Sequence, residues 1–242
     1  MYNKKTILIY FIFLHVVLII TIVKSNIIDS FLYNAGFVSN EISDHYKTMM
    51  IYHKSIDESS REGAVLFFGD SIIQGLAENL VHADAINFGI GKDTTQGLLN
   101  RLPSYKTVNT AKIIVVSIGV NDLARRSNNK ILENYKLILN NIDRRVPVIL
   151  TSILPIDNNV IKQVNYNERI INLNAGIKDI AKTSETVHYL DLYQYLVDDD
   201  KNLSFVYHVG DGMHLNKESY ALIISLLKDK IVTILGRFNG RK

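Results

Sequence analysis

Five short runs rich in apolar and β-branched residues, Ala64 to Phe68, Ala85 to Phe88, Ile113 to Ile118, Val146 to Ile153 and Val187 to Leu190, alternate with segments of helical length near 72–82, 94–102, 128–143 and 165–183. A chain that alternates in this way lays its strands in parallel, because each return to the same edge of the sheet needs a crossover long enough to hold a helix. The expected fold class is α/β, a three-layer α/β/α sandwich around a five-stranded parallel sheet. A final helix over Lys217 to Leu235 carries Tyr220, Ile223, Ile224, Leu227, Ile231 and Ile234 at three- and four-residue steps, the stripe of a helix that covers a sheet. The 242 residues suffice for one domain of roughly 150 to 200 residues plus an appendage, and no repeat or low-complexity tract divides them.

The first apolar run, Val65-Leu66-Phe67-Phe68, passes directly into Gly69-Asp70-Ser71, so a buried strand is expected to end in a tight turn that holds a serine. In open α/β sheets the working crevice lies beyond the carboxyl ends of the strands. A serine there meets substrate while the sheet fixes its backbone, and a helix starting just after it would aim N–H groups at a developing oxyanion. The hydroxyl is a weak nucleophile until a base takes its proton, and the base needs a third group to fix its tautomer. Asp211 and His214, three residues apart just before the final helix, suit that pair: the carboxylate holds one ring nitrogen and the other faces Ser71. Read alone, an Asp-x-x-His is equally a metal-ligand pair or a solvated loop.

Gly69-Asp70-Ser71, Asn87-Phe88-Gly89-Ile90-Gly91, Gly119-Val120-Asn121-Asp122 and Asp211-Gly212-Met213-His214 follow, in order, the four blocks of the SGNH (GDSL-type) hydrolases, and the chain from about residue 63 to 236 resembles one such domain. The resemblance implies a flavodoxin-like sandwich and a serine esterase that needs no metal or organic cofactor, with Ser71, Asp211 and His214 as its catalytic residues. It also implies an oxyanion hole built from the Ser71 N–H, the Asn121 side chain and a backbone N–H in the loop after the second strand, often that of a glycine just before an aspartate. Here the loop reads Gly89-Ile90-Gly91-Lys92-Asp93, with Lys92 in that glycine's place, so Gly89, Gly91 and Lys92 all stand as candidate donors. A lysine restricts the turn and adds a cation beside the site. Without the resemblance, Asn121-Asp122 after a glycine reads as a common turn whose aspartate caps the next element.

Other chemistries find little purchase. The chain has no cysteine, which excludes disulfides, thiolate catalysis and Cys-based zinc sites. Its net charge of +3 comes from lysines scattered among acids, with no basic stripe for nucleic acid. His45, His53, His82, His188 and His208 show no metal-ligand spacing; His208, six residues before His214, either lines the pocket or serves structure, with structure preferred. Gly89-Ile90-Gly91 lacks the third glycine of a dinucleotide loop, Ile86 and Asp93 break a phosphate loop around Gly91-Lys92, and no GxSxG elbow occurs.

The appendage is an apolar run of about 18 residues, Thr6 to Val23, broken only by His15 and Thr21 and flanked by Lys4, Lys5 and Lys24. Its length reaches the roughly 17 to 25 residues that span a bilayer, and no small-x-small cleavage site follows. Residues 1–26 are therefore expected to be an uncleaved transmembrane helix, with the amino terminus cytoplasmic and the catalytic domain outside; a cleaved signal is the alternative. His15 is read as a tolerated polar residue rather than a proton relay. Residues 27–62 follow as a spacer or as a helix on the domain, with Tyr46, Met49, Met50 and His53 at helical spacing, and the hydrolase domain fills 63–242.

The function expected from these readings is a membrane-anchored serine esterase that hydrolyses a small-molecule or glycan ester through an acyl-enzyme, with O-deacetylation of an envelope glycan preferred. A lysophospholipase or thioesterase is the alternative within the same chemistry. A catalytically silent glycan-binding module, its oxyanion hole lost to Lys92, is the alternative outside it. The sequence assigns no oligomeric state.

Overall fold

The computed structural model describes residues 3, 5, 10–17 and 43–239. The chain divides into two units, Met1–Glu41 and Ile42–Lys242, and the second holds the whole sheet. Each of the five apolar runs is a strand: β1 (Val65–Gly69), β2 (Ala85–Gly89), β3 (Ile113–Ser117), β4 (Val148–Thr151) and β5 (Val187–Leu190). All pair in parallel in the order β2-β1-β3-β4-β5. Strand residues alternate between faces. Leu66, Phe68, Ile114 and Val116 therefore enter one apolar core, and Val65, Phe67, Ile113 and Val115 enter the other. Phe67 and Phe68 are both fully buried, and burial of each contributes about 2 to 3 kcal/mol.

Helices close both faces. The chain forms α1 (Asp44–Ser59), α2 (Ser71–Gln74), α3 (Thr95–Arg101), α4 (Asn128–Asn140), α5 (Asn158–Ile161), α6 (Tyr166–Ala181), α7 (Tyr193–Leu196) and α8 (Lys217–Asn239). Leu98 of α3, Ile131 and Tyr135 of α4, and Ile170 and Leu173 of α6 fill the first core; Ile223, Leu227, Ile231 and Ile234 of α8 fill the second. This is the three-layer sandwich expected from the alternation. The register then decides where chemistry is possible. Gly69 of β1 lies level with Gly89 of β2 and Ser117 of β3, so the loops after these three strands leave the sheet side by side. Gly69 is a glycine for steric reasons, because a side chain there would run into the Ser117 carbonyl oxygen and Ile73.

Two expectations are corrected. The helix expected over 72–82 stops at Gln74, and a short 3₁₀ turn, Glu78–Leu80, replaces its second half. The side-chain amide of Asn87 explains the stop: it donates to the carbonyls of Ile73 (2.6 Å) and Leu76 (3.1 Å), occupying acceptors that a continuing helix would use. The transmembrane helix is the other. Among the described residues no helix is long and apolar enough to cross a membrane. Of the run Thr6 to Val23, residues 10–17 are described and helical. Residues 6–9 and 18–23 lie outside the described residues. The single-pass anchor, its membrane partner and the outward location drawn from it are corrected accordingly.

Of the segment left open as spacer or helix, residues 43–62 are described, and α1 packs on the domain. Its amino end is capped by the Ser43 hydroxyl, which accepts from Tyr46 N–H. His53 and Asp57 are buried on its inner side. Asp57 accepts from the N–H groups of Lys106 (2.9 Å) and Thr107 (3.1 Å). His53 Nδ1 meets the Tyr105 hydroxyl at 2.9 Å, and burial, followed by the nearby Arg101 charge, lowers the His53 pKa to about 4. Arg101 joins this chain to the sheet. Its guanidinium donates to Asp93 Oδ2 (2.9 Å), Tyr105 Oη (2.8 Å) and, at 3.4 Å, the Gly69 carbonyl. The side chains of Arg101 and Asp93 are each 1% exposed. Removing one member of such a pair leaves the other charge buried without compensation. Arg101→Leu is therefore expected to cost about 3 to 5 kcal/mol in urea unfolding, while the double variant Arg101→Leu, Asp93→Leu should cost less. A double variant as unstable as the single one would show that the loss does not come from the orphaned carboxylate.

Candidate active site

Ser71 sits at the first position of α2, immediately beyond the end of β1. The preceding Asp70 is turned inward and accepts the Ile72 N–H through Oδ1 (3.0 Å), which closes the turn and leaves the serine half-buried at the crevice. His214 reaches it from the loop before α8. Its Nε2 lies 3.1 Å from Ser71 Oγ, and its Nδ1 lies 2.6 Å from Asp211 Oδ2. The other Asp211 oxygen, Oδ1, accepts the N–H groups of Met213 (3.0 Å) and His214 (2.9 Å), so the carboxylate is gripped by the turn it orients. Burial pushes the Asp211 pKa up, but the hydrogen bonds from the His214 ring and from these two N–H groups outweigh it and bring the pKa down to about 2. Asp211 is thus ionised throughout the range in which a histidine exchanges protons. The structure brings Ser71, His214 and Asp211 into one continuous chain of contacts across 143 residues of sequence.

Asn121 follows β3 in the turn Val120–Asp122 and is half-buried. One of its amide hydrogens is donated to the Asp93 carbonyl (3.0 Å), which leaves the second for a ligand. Next to it, buried Asp122 accepts from Thr95 N–H (2.8 Å) and Thr95 Oγ (2.7 Å), so the Asn121 turn is tied twice to the segment that starts α3. In the 89–92 loop, three N–H groups already have partners: Gly89 donates to Asn87 Oδ1 (2.9 Å), Ile90 to the Gly69 carbonyl (3.0 Å) and Gly91 to Gln74 Oε1. Lys92 takes the left-handed conformation, φ 66°, that a glycine would favour, and its side chain is exposed. A left-handed lysine costs of order 1 kcal/mol.

Sequence reading missed one group here. Gln74, one turn beyond Ser71, receives the Gly91 N–H, and its Oε1 lies 3.1 Å from His45 Nε2 at the start of α1. Nothing in a lone glutamine after an apolar pair marks it. His208, read as structural, is buried beneath the Asp211–His214 turn. Behind the crevice, a cavity of about 20 Å³ is lined by Ile72, Val120 and Met213 together with Asp70 and Ile153. The first three are the immediate chain neighbours of Ser71, Asn121 and His214. Its volume holds about one water or one methyl group.

Asp70 adds a pH dependence. Burial raises its pKa to about 7; the Ile72 N–H opposes this, while Asp93 and Asp122 reinforce it. A carboxyl whose folded pKa exceeds its unfolded value stabilises fully below the unfolded pKa near 4, and that stability is lost as pH rises towards 7. Asp70→Asn keeps the bond from Ile72 and removes the titration. Its Tm should exceed that of the parent by more at pH 8 than at pH 5, and an equal difference at both would refute the shift.

The comparisons with known proteins agree with this architecture. Residues 67–222 match the model of the GDSL-like lipase/acylhydrolase family. Platelet-activating factor acetylhydrolase IB subunit alpha1 of Pongo abelii is 26% identical over 204 residues, which cover 80% of this chain and 86% of that protein. A GDSL-like lipase from Bacteroides thetaiotaomicron superposes with TM-score 0.66 at 22% identity, covering 76% of this chain and 97% of its own. A carbohydrate esterase family 3 protein from Talaromyces cellulolyticus superposes with TM-score 0.58 at 17% identity, covering 72% and 99%. At those identities the two structures speak for a shared fold alone. With the family model spanning most of the chain, the protein belongs to the GDSL-like lipase/acylhydrolase family and is a serine ester hydrolase of the SGNH type.

Proposed function

We propose that the chain removes a short acyl group, acetyl in the first instance, from an ester of a hydroxyl-rich alcohol, with Ser71, His214 and Asp211 as its catalytic residues. The observation that carries the reading is the chain of contacts at 3.1 and 2.6 Å from Ser71 Oγ through His214 to Asp211. Ser71 Oγ attacks the ester carbonyl carbon while His214 Nε2 takes its proton, and Asp211 stabilises the imidazolium and fixes the ring. The carbonyl oxygen becomes an oxyanion, held by the Ser71 N–H, the second amide hydrogen of Asn121 and the Lys92 N–H, the donor in the 89–92 loop that is not taken up by the bonds described for Gly89, Ile90 and Gly91. As the C–O bond breaks, His214 gives its proton to the leaving alkoxide. Water then attacks the acyl-serine by the same route in reverse, releasing the acid.

Two features support a small acyl group. The cavity beside Ile72, Val120 and Met213 has room for little beyond a methyl. The curated relative carries acetyl hydrolysis in its name. For the alcohol, the polar surroundings of the serine, with Gln74, Lys92 and Asp211 all exposed, favour a carbohydrate hydroxyl. An envelope location for that substrate rests on the anchor and is not retained. A phospholipid-type alcohol is the second reading, favoured by the platelet-activating factor acetylhydrolase relative. A silent binding module is disfavoured because Lys92 preserves the turn that its backbone N–H requires.

The acyl assignment is tested with p-nitrophenyl esters of increasing chain length. Acetate should exceed butyrate in kcat/KM by at least about tenfold, since two further methylenes have no room; equal rates would overturn the acetyl reading. Ser71→Ala should abolish turnover with Tm nearly unchanged, because a small hydroxyl at a strand end contributes little to packing. Asn121→Ala should lower kcat by about 10² to 10³ with KM little altered, as a donor to the transition state does, whereas Lys92→Gly should leave kcat intact. Full activity in Asn121→Ala would remove it from the oxyanion hole.

A further inference from the structure

Beneath the Asp211–His214 turn lies a second histidine and carboxylate that the reaction described above does not use. His208 is 4% exposed. Its Nδ1 accepts two backbone N–H groups, from Gly210 at 3.0 Å and from Gly212 at 3.1 Å. A backbone N–H only donates, so Nδ1 is the unprotonated nitrogen and the ring proton is on Nε2. That Nε2 faces Asp157 Oδ2 at 3.3 Å, a close electrostatic contact rather than an aligned hydrogen bond. Asp157 returns to the same turn through its own N–H, which donates to the Gly212 carbonyl at 2.8 Å. Both backbone groups of Gly212 are therefore held, one by His208 and one by Asp157.

The two glycines flank Asp211, and both are left-handed, Gly210 at φ 104° and Gly212 at φ 79°. Such glycines are the most freely rotating links of a chain, and a turn containing two of them around a catalytic carboxylate needs something to fix it. The rim is closed by Val209 N–H on the His214 carbonyl (2.9 Å). Inside the turn Asp211 Oδ1 accepts the Met213 and His214 N–H groups, which ties the carboxylate to the residues after it and leaves the N–H groups of the two flanking glycines to be fixed from elsewhere. The two bonds to His208 Nδ1 fix them.

We infer that His208, backed by Asp157, is a positioning residue for the hydrolytic site: its Nδ1 gathers the Gly210 and Gly212 N–H groups and so aims the Asp211 carboxylate at His214. The inference rests on the reading of Ser71, His214 and Asp211 as the hydrolytic site. It does not touch substrate, so its loss should appear in the chemical step and not in binding.

The test compares His208→Leu, similar in bulk but without an acceptor, with His208→Asn, whose Oδ1 offers an acceptor near the place of Nδ1. On p-nitrophenyl acetate, His208→Leu should lose about 10- to 100-fold in kcat with KM unchanged, the scale of a catalytic group displaced by part of an ångström, and His208→Asn should recover most of it. Proton NMR gives a readout that general loosening would not move: the low-field His214 Nδ1–H resonance from the 2.6 Å bond to Asp211 should persist in His208→Asn and shift upfield in His208→Leu. Equal losses in both variants, unchanged kcat in His208→Leu, or an unmoved resonance would overturn the inference. Should His208→Leu fail to fold, the wild-type ¹⁵N spectrum still decides, because a His208 ring protonated on Nδ1 is incompatible with the clamp. The underlying reading fails separately, by retention of activity in Ser71→Ala, and the tautomer and the resonance test the clamp without turnover.

Discussion

The buried ion pair between Arg101 and Asp93 is the interaction on which the site's geometry depends. Two charges taken from water cost several kcal/mol each unless attraction and hydrogen bonds compensate. Here the guanidinium spends its donors on Asp93, Tyr105 and the Gly69 carbonyl, and it also lies 5.5 Å from the centre of the Phe68 ring. Asp93 ends the loop that carries Lys92, Gly69 precedes the nucleophile by two residues, and Tyr105 leads to His53 on α1. One side chain thus fixes the loop after β2 against the end of β1 and anchors the additional helix. The Asn121 amide, bonded to the Asp93 carbonyl, brings the third loop to the same point. A misplaced Arg101 would disturb the serine turn, the 89–92 loop and Asn121 together.

Much of this was legible in the sequence. Short apolar runs followed by helix-length segments specify a parallel sheet with little ambiguity, because strand burial on both faces is written as unbroken hydrophobicity. The meeting of Ser71, His214 and Asp211 was legible because an activated serine demands a base and an orienting carboxylate beside it. The parts that escaped depend on side chains meeting backbone from distant positions. Asn87 caps carbonyls 11 and 14 residues earlier and ends α2 after one turn, against the apolar pattern that favoured a longer helix. Gln74 and His208 act by accepting backbone N–H groups, that of Gly91 and those of Gly210 and Gly212, and such contacts leave no periodicity. For the apolar run near the amino terminus, hydropathy alone suggested a membrane span, whereas among the described residues no helix is long and apolar enough to cross a membrane.

Lys92 shows how a departure from a family pattern is absorbed. The resemblance asks for glycine because the position is left-handed, and the lysine adopts that conformation all the same, at φ 66°. Its side chain is exposed, so the strain is local. The bonds on either side, from the Gly91 N–H to Gln74 and from Asp93 to Arg101, hold the loop firmly enough to impose the conformation. Strain of this size persists only where the surroundings over-determine the backbone.

The two halves of the site are therefore built on different principles. Ser71, Asn121 and Lys92 project from the level ends of adjacent strands, and their positions follow from sheet register and a buried ion pair that are also the core of the fold. Asp211 and His214 belong to an exposed turn after a long excursion from β5, where no strand reaches them. Their side chains are 45% and 50% exposed, so neither burial nor packing can hold them. Geometry there has to come from hydrogen bonds within the turn, to Asp211 Oδ1 from above and to His208 Nδ1 from below. Such a turn is free to change without unfolding the sheet, whereas the loops after β1, β2 and β3 are not. Substitutions at Asp211 and His214 should consequently be tolerated by stability far better than those in the loops after β1, β2 and β3, since the latter share their contacts with the core.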